Sequence, residues 1–276
     1  MEKEVAWLLQ EKYQGKPTEQ FYIDVARLER GEPLDYVIGF CEFLGCKIDL
    51  SKKPLIPRRE TEFWVMWAIE DMGKLSPTFN GRKERGTRTL DIFSGSGCIG
   101  IAILKHIKDV HVTFVDNDKN SLDQIRINLK IHKVPQSRFK IINSSIFKNI
   151  KFQSSQELWS KFDYIFANPP YIPTSRKNKV QKSVLQYEPK KALFAGKDGL
   201  LYIRKFLAEA KNFLVTNGPP LPIRQRVNGV GASKIYIEFD YVQKKQIEKL
   251  LKKYKYKNWK IHKDQYGKWR WLDIYI

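Results

Sequence analysis

The residues best suited to chemistry follow an apolar run at 162–167, where the chain reads Asn168-Pro169-Pro170-Tyr171. Neither proline nitrogen can donate a hydrogen bond, so the turn stops a strand and is rich in acceptors. The Asn168 side-chain oxygen and the Pro169 carbonyl could accept both N–H bonds of an NH2 group and hold its nitrogen in line with a methyl donor. Tyr171 offers a flat face for a planar amide or base. The alternative is a strand-ending loop with a buried amide. The predicted catalytic and substrate-binding set is Asn168, Pro169, Pro170 and Tyr171.

A glycine-containing loop, from Asp91 to Gly97, lies between a predicted strand and a predicted helix. Gly95 and Gly97 permit a tight turn and close approach of a ligand to the backbone. The loop lacks the full Gly-x-Gly-x-x-Gly dinucleotide fingerprint and the Lys-Ser/Thr pair of a phosphate-binding P-loop. A loop with fewer glycines suits a nucleoside better than a pyrophosphate, although an ordinary strand-to-helix turn would have a similar composition.

Asp116 ends the next predicted strand. A carboxylate at this place in a doubly wound sheet accepts hydrogen bonds from both ribose hydroxyls of a bound nucleoside. It could also cap the following helix, since Asn117 and Asp118 favour turns too. Together with the glycine loop, Asp116 predicts S-adenosylmethionine as the cofactor. The residues expected to hold it are Phe93, Ser94, Gly95, Ser96, Gly97 and Asp116.

The elements that position these residues alternate between strands and helices from residue 89 onward. Strands are predicted at 89–93, 110–116, 139–142, 162–167 and 234–239, and a closing antiparallel pair at 259–261 and 269–276. Helices are predicted at 99–106, 122–129, 200–214 and 242–254. This alternation is typical of an α/β fold with a mainly parallel, doubly wound sheet. Because such sheets bind ligands beyond the carboxyl ends of their strands, the turn, the loop and Asp116 should share one edge.

The chain before residue 89 predicts two further parts. Residues 1–72 are expected to form a short N-terminal helical segment, with a break at Gly15–Pro17, followed by a β-hairpin and a helix at 61–72. The hairpin is predicted within 35–50, where the apolar runs Tyr36–Ile38 and Phe43-Leu44 indicate its strands. The first 30 residues carry too few apolar side chains for a core of their own and should pack on later parts of the chain. Residues 73–88 resemble a solvated linker. Residues 89–276 form the catalytic domain.

Composition excludes several classes of protein. The 276 residues include 50 basic and 30 acidic ones, a formal charge of +20 that points to an anionic partner or compartment. No apolar run approaches the length of a transmembrane helix, so no membrane association is expected. Three cysteines cannot form a dense disulfide framework, and four scattered histidines predict no metal site. The first residues match neither a secretory signal nor a typical mitochondrial presequence.

These motifs resemble a class I methyltransferase that acts on planar nitrogen. Three further blocks narrow the resemblance to the HemK/PrmC family, the protein-(glutamine-N5) methyltransferases of peptide chain release factors. They are Gly31-Glu32-Pro33-Leu34, the stretch 55–62, and Tyr187-Glu188-Pro189 with the Ala192-Leu193 and Gly199-Leu200 pairs behind it. The resemblance covers about 31–276. It implies a Rossmann-like fold with a mainly parallel seven-stranded sheet and S-adenosylmethionine as methyl donor. It also implies a substrate, the glutamine of the Gly-Gly-Gln loop in a class 1 release factor.

The resemblance also assigns roles to individual residues. Asn168 and Pro169 would bind the glutamine amide, and the 93–97 loop and Asp116 would hold the cofactor. Ile146 and Asn168 join the expected cofactor contacts, and Arg58 joins the expected substrate contacts. Arg58 and Glu62 match family positions beside the pocket. They could equally belong to a turn and a helix start capped by Thr61.

The chain departs from the family pattern at several places. Phe93 replaces the first glycine of the loop, so the backbone there could differ. Arg59 replaces a proline, and Ser145 and Ile146 replace an acidic residue and an aromatic that contact adenine. The region before residue 31 is much shorter than the family's N-terminal domain. Residues 217–233 form an insertion whose composition is typical of an exposed loop.

A basic segment bears on partners. Residues 244–260 contain eight lysines and one acid, with aromatic residues between them. This composition is typical of a nucleic-acid groove, or of a solvated helix face. Two other hypotheses therefore stay open beside the release-factor enzyme: a DNA or RNA adenine N6-methyltransferase, and a catalytically silent RNA- or ribosome-binding module. We expect a monomer with possible transient contact to RNA or ribosome. We expect a mitochondrial location, with the cytoplasm as alternative.

Overall fold

The computed structural model describes residues 1–73, 86–151, 161–215 and 233–276. Most of the linker predicted at 73–88 and of the insertion predicted at 217–233 lies outside the described residues. No helix within the described ranges is long and apolar enough to cross a membrane.

Three helices make up the N-terminal part: α1 (Glu2–Tyr13), α2 (Glu19–Glu29) and α3 (Leu34–Ile38). The Thr18 side chain caps α2 by accepting a hydrogen bond from the Phe21 backbone N–H. The helices enclose a small apolar cluster of their own, with Leu8, Phe21, Leu28 and Val37 buried. The first 30 residues complete this cluster only with Val37 of α3, in keeping with their small apolar content.

Polar contacts at its edge join this helical cluster to the rest of the chain. The Tyr187 hydroxyl donates a hydrogen bond to the Arg30 carbonyl oxygen at 3.1 Å. The Glu32 carboxylate binds Lys53 at 2.8 Å and Arg27 at 2.9 Å. The Arg27 guanidinium lowers the pKa of Glu32 to about 2, so this carboxylate is ionised at neutral pH.

The β-hairpin lies later than the sequence suggested. Its strands are β1 (Phe40–Phe43) and β2 (Cys46–Asp49), paired antiparallel. The segment Tyr36–Ile38, which we predicted as a strand, belongs to α3 instead. Pro33 immediately precedes that short helix, and Gly39 ends it in the left-handed conformation at φ 98°.

Helix α4 (Arg59–Gly73) packs across the sheet. It begins two residues before the predicted start, so Thr61 is not its N-cap. Thr61 is buried within the first turn, and Trp64 stacks on Phe166 with ring centroids 6.1 Å apart. This helix therefore delivers its buried face, including one hydroxyl, to the carboxyl end of the sheet.

The sheet has seven strands: β3 (Thr87–Ile92), β4 (Val110–Asp116), β5 (Phe139–Asn143), β6 (Tyr164–Ala167), β7 (Lys234–Glu238), β8 (Asn258–Lys263) and β9 (Trp269–Tyr275). Their order in the sheet is β5-β4-β3-β6-β7-β9-β8. The five strands β3 to β7 run parallel, β9 runs antiparallel to β7, and β8 runs antiparallel to β9. The mainly parallel α/β sheet predicted from the sequence is thus confirmed.

Helices cover both faces of the sheet. Those that follow α4 are α5 (Cys98–His106), α6 (Lys119–Ile131), α7 (Lys182–Tyr187), α8 (Lys190–Leu193), α9 (Leu201–Glu209) and α10 (Lys244–Lys253). One apolar cluster joins α4, α5 and α6 to one face, and another joins α9 and α10 to the opposite face.

The strand order reverses at β3, whose neighbours β4 and β6 belong to opposite halves of the chain. A crevice at such a switch point is where doubly wound sheets bind ligands.

Candidate active site

A cleft opens at the carboxyl ends of β3, β4, β5 and β6, with an empty volume of about 830 Å³. The cleft is lined by six of the predicted residues, namely Phe93, Gly95, Asp116, Ile146, Asn168 and Pro170. Its wall also includes Leu55 and Pro189, which belong to the blocks that resemble the family, and two residues that the sequence did not single out, Lys191 and Tyr202.

The glycine loop keeps a left-handed backbone even where glycine is absent. Phe93 has φ 62°, a left-handed conformation that glycine adopts most readily. A non-glycine residue pays about 1–2 kcal/mol for this conformation. The Phe93 ring packs edge-on to Tyr202 at 6.0 Å and lies 6.5 Å from Phe206, contacts that offset part of the strain. Ile146, on the opposite wall, is also left-handed at φ 54°.

The other loop residues shape the turn and do not line the cleft. The Ser94 hydroxyl donates to the Asp91 carbonyl at 2.7 Å and accepts from the Val115 N–H at 2.9 Å, which joins β3 to β4. The Ser96 carbonyl accepts a hydrogen bond from Asn128 at 3.0 Å. Gly97 precedes α5 with φ 80°. These three predicted contacts act through the backbone shape of the loop.

Asp116 fastens the loop to the end of β4. Its Oδ2 accepts from the Gly95 N–H and its Oδ1 from the Asp118 N–H, both at 2.9 Å. A carboxylate has about four acceptor positions, so capacity remains for two ribose hydroxyls. Burial raises the pKa of Asp116 above its usual range. The remaining acceptor capacity of Asp116 therefore fits the ribose hydroxyls of a nucleoside.

Asp91 is a second carboxylate at this edge, and we did not place it in the site from the sequence. It is fully buried, and its Oδ2 accepts from the Gly100 N–H at 3.0 Å. Its Oδ1 has no hydrogen-bond partner among the described residues. Burial raises the pKa of Asp91 to about 8, so it holds a proton at neutral pH. An acid closing an apolar strand was the signal that could have revealed it.

The Asn168–Tyr171 turn separates the cleft from a second, more open depression. This groove is lined by Arg58, Asn168, Pro169, Tyr171, Arg176 and Arg270, among others. Asn168 faces both. Its Nδ2 donates to the Thr61 hydroxyl at 3.2 Å. Its Oδ1 and the Pro169 carbonyl accept no hydrogen bond from any residue in the described ranges. Two unused acceptors thus lie at the border between cleft and groove.

Tyr171 lines the groove, but its hydroxyl is hydrogen-bonded to a buried carboxylate. It donates to Glu238 Oε1 at 3.0 Å, and burial raises the pKa of Tyr171 well above its usual value. The Tyr171 carbonyl accepts from Gln243 Nε2 at 2.9 Å. The ring is therefore fixed in place, and its phenol does not serve as a base near neutral pH.

Glu238 is the residue that sequence reasoning missed most completely. It is buried at the end of β7, and its Oε2 accepts from the Thr61 hydroxyl and from Trp64 Nε1, both at 2.7 Å. Burial raises the pKa of Glu238, and its hydrogen bonds oppose that rise. A lone acid within an apolar strand was the available signal. Its partner in α4 is 177 positions away along the chain and could not be read from spacing.

An ion pair connects the two family blocks that flank the groove. Arg58 binds Glu188 Oε1 at 2.6 Å, and Glu188 Oε2 accepts from the Ile56 N–H at 3.2 Å. Arg58 therefore does lie in the groove, where it was expected. Glu62 does not: it accepts from the Leu44 N–H at 2.7 Å and pairs with Arg59 at 2.6 Å, which ties α4 to the hairpin.

The chain was compared with known proteins. The family model "Conserved hypothetical protein 95" matches residues 76–212. The release factor glutamine methyltransferase of Flavobacterium psychrophilum is 32% identical, over 90% of this chain and 77% of its own length. The release factor glutamine methyltransferase of Streptococcus pneumoniae is also 32% identical, over 96% of this chain and 83% of its own length. A bifunctional methyltransferase of Rickettsia conorii is 30% identical over 94% of this chain, which spans 48% of that protein.

Solved structures share the fold at low sequence identity. The N-terminal domain of human METTL16 in complex with SAH is 12% identical, with a TM-score of 0.54 over 84% of this chain and 76% of that one. Human methyltransferase 10 domain containing protein is 12% identical, with a TM-score of 0.51 over 84% of this chain and 90% of that one. These likenesses, with the strand order, confirm the class I methyltransferase fold. Because it is 32% identical to two release factor glutamine methyltransferases over more than two thirds of their length, the chain belongs to the release factor glutamine methyltransferase family.

Proposed function

We propose that this enzyme transfers the methyl group of S-adenosylmethionine to the side-chain amide nitrogen of the glutamine in the Gly-Gly-Gln motif of a class 1 peptide chain release factor. The observation that carries this proposal is the pair of unused acceptors, Asn168 Oδ1 and the Pro169 carbonyl, at the border of cleft and groove. An NH2 group has two N–H bonds, and two neighbouring residues with unused acceptors can accept both. The protein substrate is inferred from the relatives, which are release factor glutamine methyltransferases.

The residues of the chain act mainly by positioning. S-adenosylmethionine supplies a methyl group on a positively charged sulfur. The nucleoside end fits the Asp116 side of the cleft, and the glutamine enters through the groove. Hydrogen bonds to both N–H bonds align the nitrogen lone pair and favour its loss of planarity. No strong base is required, because the nitrogen becomes acidic only as the methyl group arrives, and its proton then passes to water.

The experiment is incubation of the chain with labelled S-adenosylmethionine and a purified class 1 release factor. Mass spectrometry should locate one added methyl group on the Gly-Gly-Gln glutamine. A release factor with that glutamine changed to alanine is the control and should stay unlabelled. Adenine-containing DNA and RNA serve as further substrates. Transfer to adenine with none to the release factor would support the N6-adenine alternative, which the relatives' names do not favour.

The basic segment supports a second interaction. We propose transient contact with RNA or the ribosome through the lysines of α10 and the following residues. Lys244 lies 4.9 Å from the Trp269 ring centroid and Lys253 5.6 Å from that of Tyr254, so cations and aromatic faces alternate there. RNA affinity should fall steeply as salt rises. Affinity that is independent of salt, or unaffected by changing Lys249, Lys252 and Lys253 to glutamine, would contradict this contact.

Oligomeric state and compartment are further proposals. We propose a monomer, to be checked by sedimentation of the purified chain. We propose a mitochondrial location on the basis of the +20 net charge, with the cytoplasm as the alternative. Fractionation of cells that express a tagged full-length protein separates the two.

A further inference from the structure

A chain of buried hydrogen bonds leads to Asn168 from beneath the site. Strands β6 and β7 pair in parallel with Ala167 opposite Ile237, so Asn168 and Glu238 follow at the same edge. Between them lies Thr61 of α4. The Thr61 oxygen is 2.7 Å from Glu238 Oε2 and 3.2 Å from Asn168 Nδ2. Thr61 and Glu238 are 2% and 1% exposed, so water cannot readily replace either partner.

The direction of this chain of bonds depends on which groups can donate. The Trp64 indole nitrogen can only donate, and it points at Glu238 Oε2, which must accept. The Thr61 hydroxyl has a single proton. That proton goes to the same carboxylate oxygen at the shorter distance, which leaves Thr61 only lone pairs for Asn168.

The orientation of the Asn168 amide is the consequence. Thr61 can only accept, so it must face the NH2 half of the amide, and the carbonyl half then points away, toward cleft and groove. The opposite rotamer would set two acceptor oxygens against each other in a buried place, which costs free energy. It would also present N–H donors to a substrate NH2, which has only donors to offer.

Resting on the proposed function, we propose that Thr61 and Glu238 are positioning residues that fix the Asn168 amide with its oxygen outward and thereby select a carboxamide over a carboxylate. A glutamate side chain would place a negatively charged oxygen against two acceptor oxygens. A glutamine side chain offers N–H bonds to both. The same carboxylate also holds the Tyr171 hydroxyl at 3.0 Å, so Glu238 supports both ends of the turn.

The test compares three variants of buried threonines. Thr61→Val keeps the shape but removes the hydroxyl, Thr61→Ser restores the hydroxyl, and Thr89→Val is the matched control. Thr89 is fully buried in β3, and its hydroxyl has no hydrogen-bond partner within the described ranges. Three quantities are measured for each: turnover on the release factor, S-adenosylhomocysteine affinity by calorimetry, and binding of Gly-Gly-Gln and Gly-Gly-Glu peptides to the S-adenosylhomocysteine complex.

We expect Thr61→Val to lower kcat by about 10- to 100-fold, the effect of misplacing one substrate contact. Its preference for the glutamine peptide should fall about tenfold, because a freely rotating amide can also donate to a carboxylate. Cofactor affinity should stay unchanged. Thr61→Ser should recover most of the turnover and the full peptide preference, and Thr89→Val should behave as the unmodified chain. If Thr61→Val does not fold, Thr61→Ala removes the same hydroxyl and carries the same expectation.

Two outcomes would overturn the inference. One is a Thr61→Val variant whose kcat and peptide preference equal those of the unmodified chain. The other is a Thr61→Ser variant as impaired as Thr61→Val, which would indicate a packing role alone. Failure of the proposed function itself is distinguishable, because the unmodified chain would then transfer no methyl group to the release factor.

Discussion

The two sides of the active site are held in place by different means. On the cofactor side, backbone conformation dominates: Phe93, Gly95 and Ile146 are all left-handed, and Asp116 bonds to backbone N–H groups. On the acceptor side, the Asn168–Tyr171 turn is held by the side chains of other elements, above all Glu238. Local sequence therefore determines the first side, and the packing of distant elements determines the second. Substitutions should accordingly affect the two sides in different ways.

The largest effect should come from removing the acceptor itself. Asn168→Ala should lower kcat by about 10²- to 10³-fold, the usual cost of losing one polar group that acts in the transition state. S-adenosylhomocysteine affinity should change little, since Asn168 is one of many groups in the cleft. Calorimetry and turnover together check this. Normal turnover would remove Asn168 from its assigned role, and a parallel loss of affinity would show that the two sides are not separable.

Gly199→Ala tests the acceptor side from a distance. A Cβ at Gly199 would lie 2.2 Å from the Tyr171 carbonyl oxygen and 2.6 Å from Gln243 Nε2, at a φ of 75°. We expect about 2–4 kcal/mol of lost stability and a fall in kcat greater than the fall in cofactor affinity. Gly267→Ala is the matched control, because its φ is also 75° but nothing lies within 4 Å. Equal losses in stability for both variants would mean that the contact with Tyr171 is unimportant.

Asp91→Asn tests the buried acid of the cofactor side through pH. The folded protein holds the Asp91 proton up to a pKa of about 8, whereas an unfolded aspartate loses it near 3.9. Between these values the folded state binds more protons, so Asp91 makes stability fall as pH rises, by at most about 1.4 kcal/mol per unit. The variant should lose this slope and exceed the unmodified chain above pH 8. Denaturation curves at several pH values check it, with Asp123→Asn, at a half-buried carboxylate on α6, as control.

Asp116→Asn should weaken cofactor binding without a matching change in kcat at saturating cofactor. The amide keeps one acceptor but loses the charge that strengthens hydrogen bonds to ribose hydroxyls, a loss worth about tenfold in affinity. Calorimetry with S-adenosylhomocysteine measures it. Because burial raises the pKa of Asp116, the affinity of the unmodified chain should begin to fall at a higher pH on acidification than for an ordinary aspartate. Unchanged affinity would contradict the ribose contact.

The smallest effect concerns backbone strain in the loop. Phe93→Gly relieves the left-handed strain but loses the ring contacts with Tyr202 and Phe206, so its net change in stability should be small. Phe93→Ala loses the same contacts and keeps the strain. We therefore expect the glycine variant to be more stable than the alanine variant by about 1 kcal/mol. Equal stability would mean that φ at this position carries no cost.

The sequence predicted the parts of the site that depend on short-range sequence patterns. The strand pattern indicated the sheet, and the glycines, Asp116 and the Asn-Pro-Pro-Tyr turn pointed to residues that line the cleft or border it. It misplaced Tyr36–Ile38, because three apolar residues fit a strand or a short helix, and the flanking Pro33 and Gly39 decided for the helix. It also left open that Thr61 caps α4, since the start of that helix could not be located within two residues.

The supporting residues could not have been found by spacing. Glu238, Glu188 and Gln243 each bond to a group far away along the chain, and only the folded sheet brings them together. The left-handed backbone at Phe93 could not be predicted from the sequence for a different reason. A phenylalanine ordinarily avoids positive φ, and the packing that compensates here comes from α9.

The neighbouring residues Tyr187 and Glu188 have different partners on either side of one peptide bond. Tyr187 bonds to Arg30 in the N-terminal helices, and Glu188 bonds to Arg58 in the groove. The segment that contacts the N-terminal helices is thus the same segment that holds the Arg58 guanidinium in the groove. A single peptide bond gives a direct covalent connection between the surface of the helical cluster and the groove.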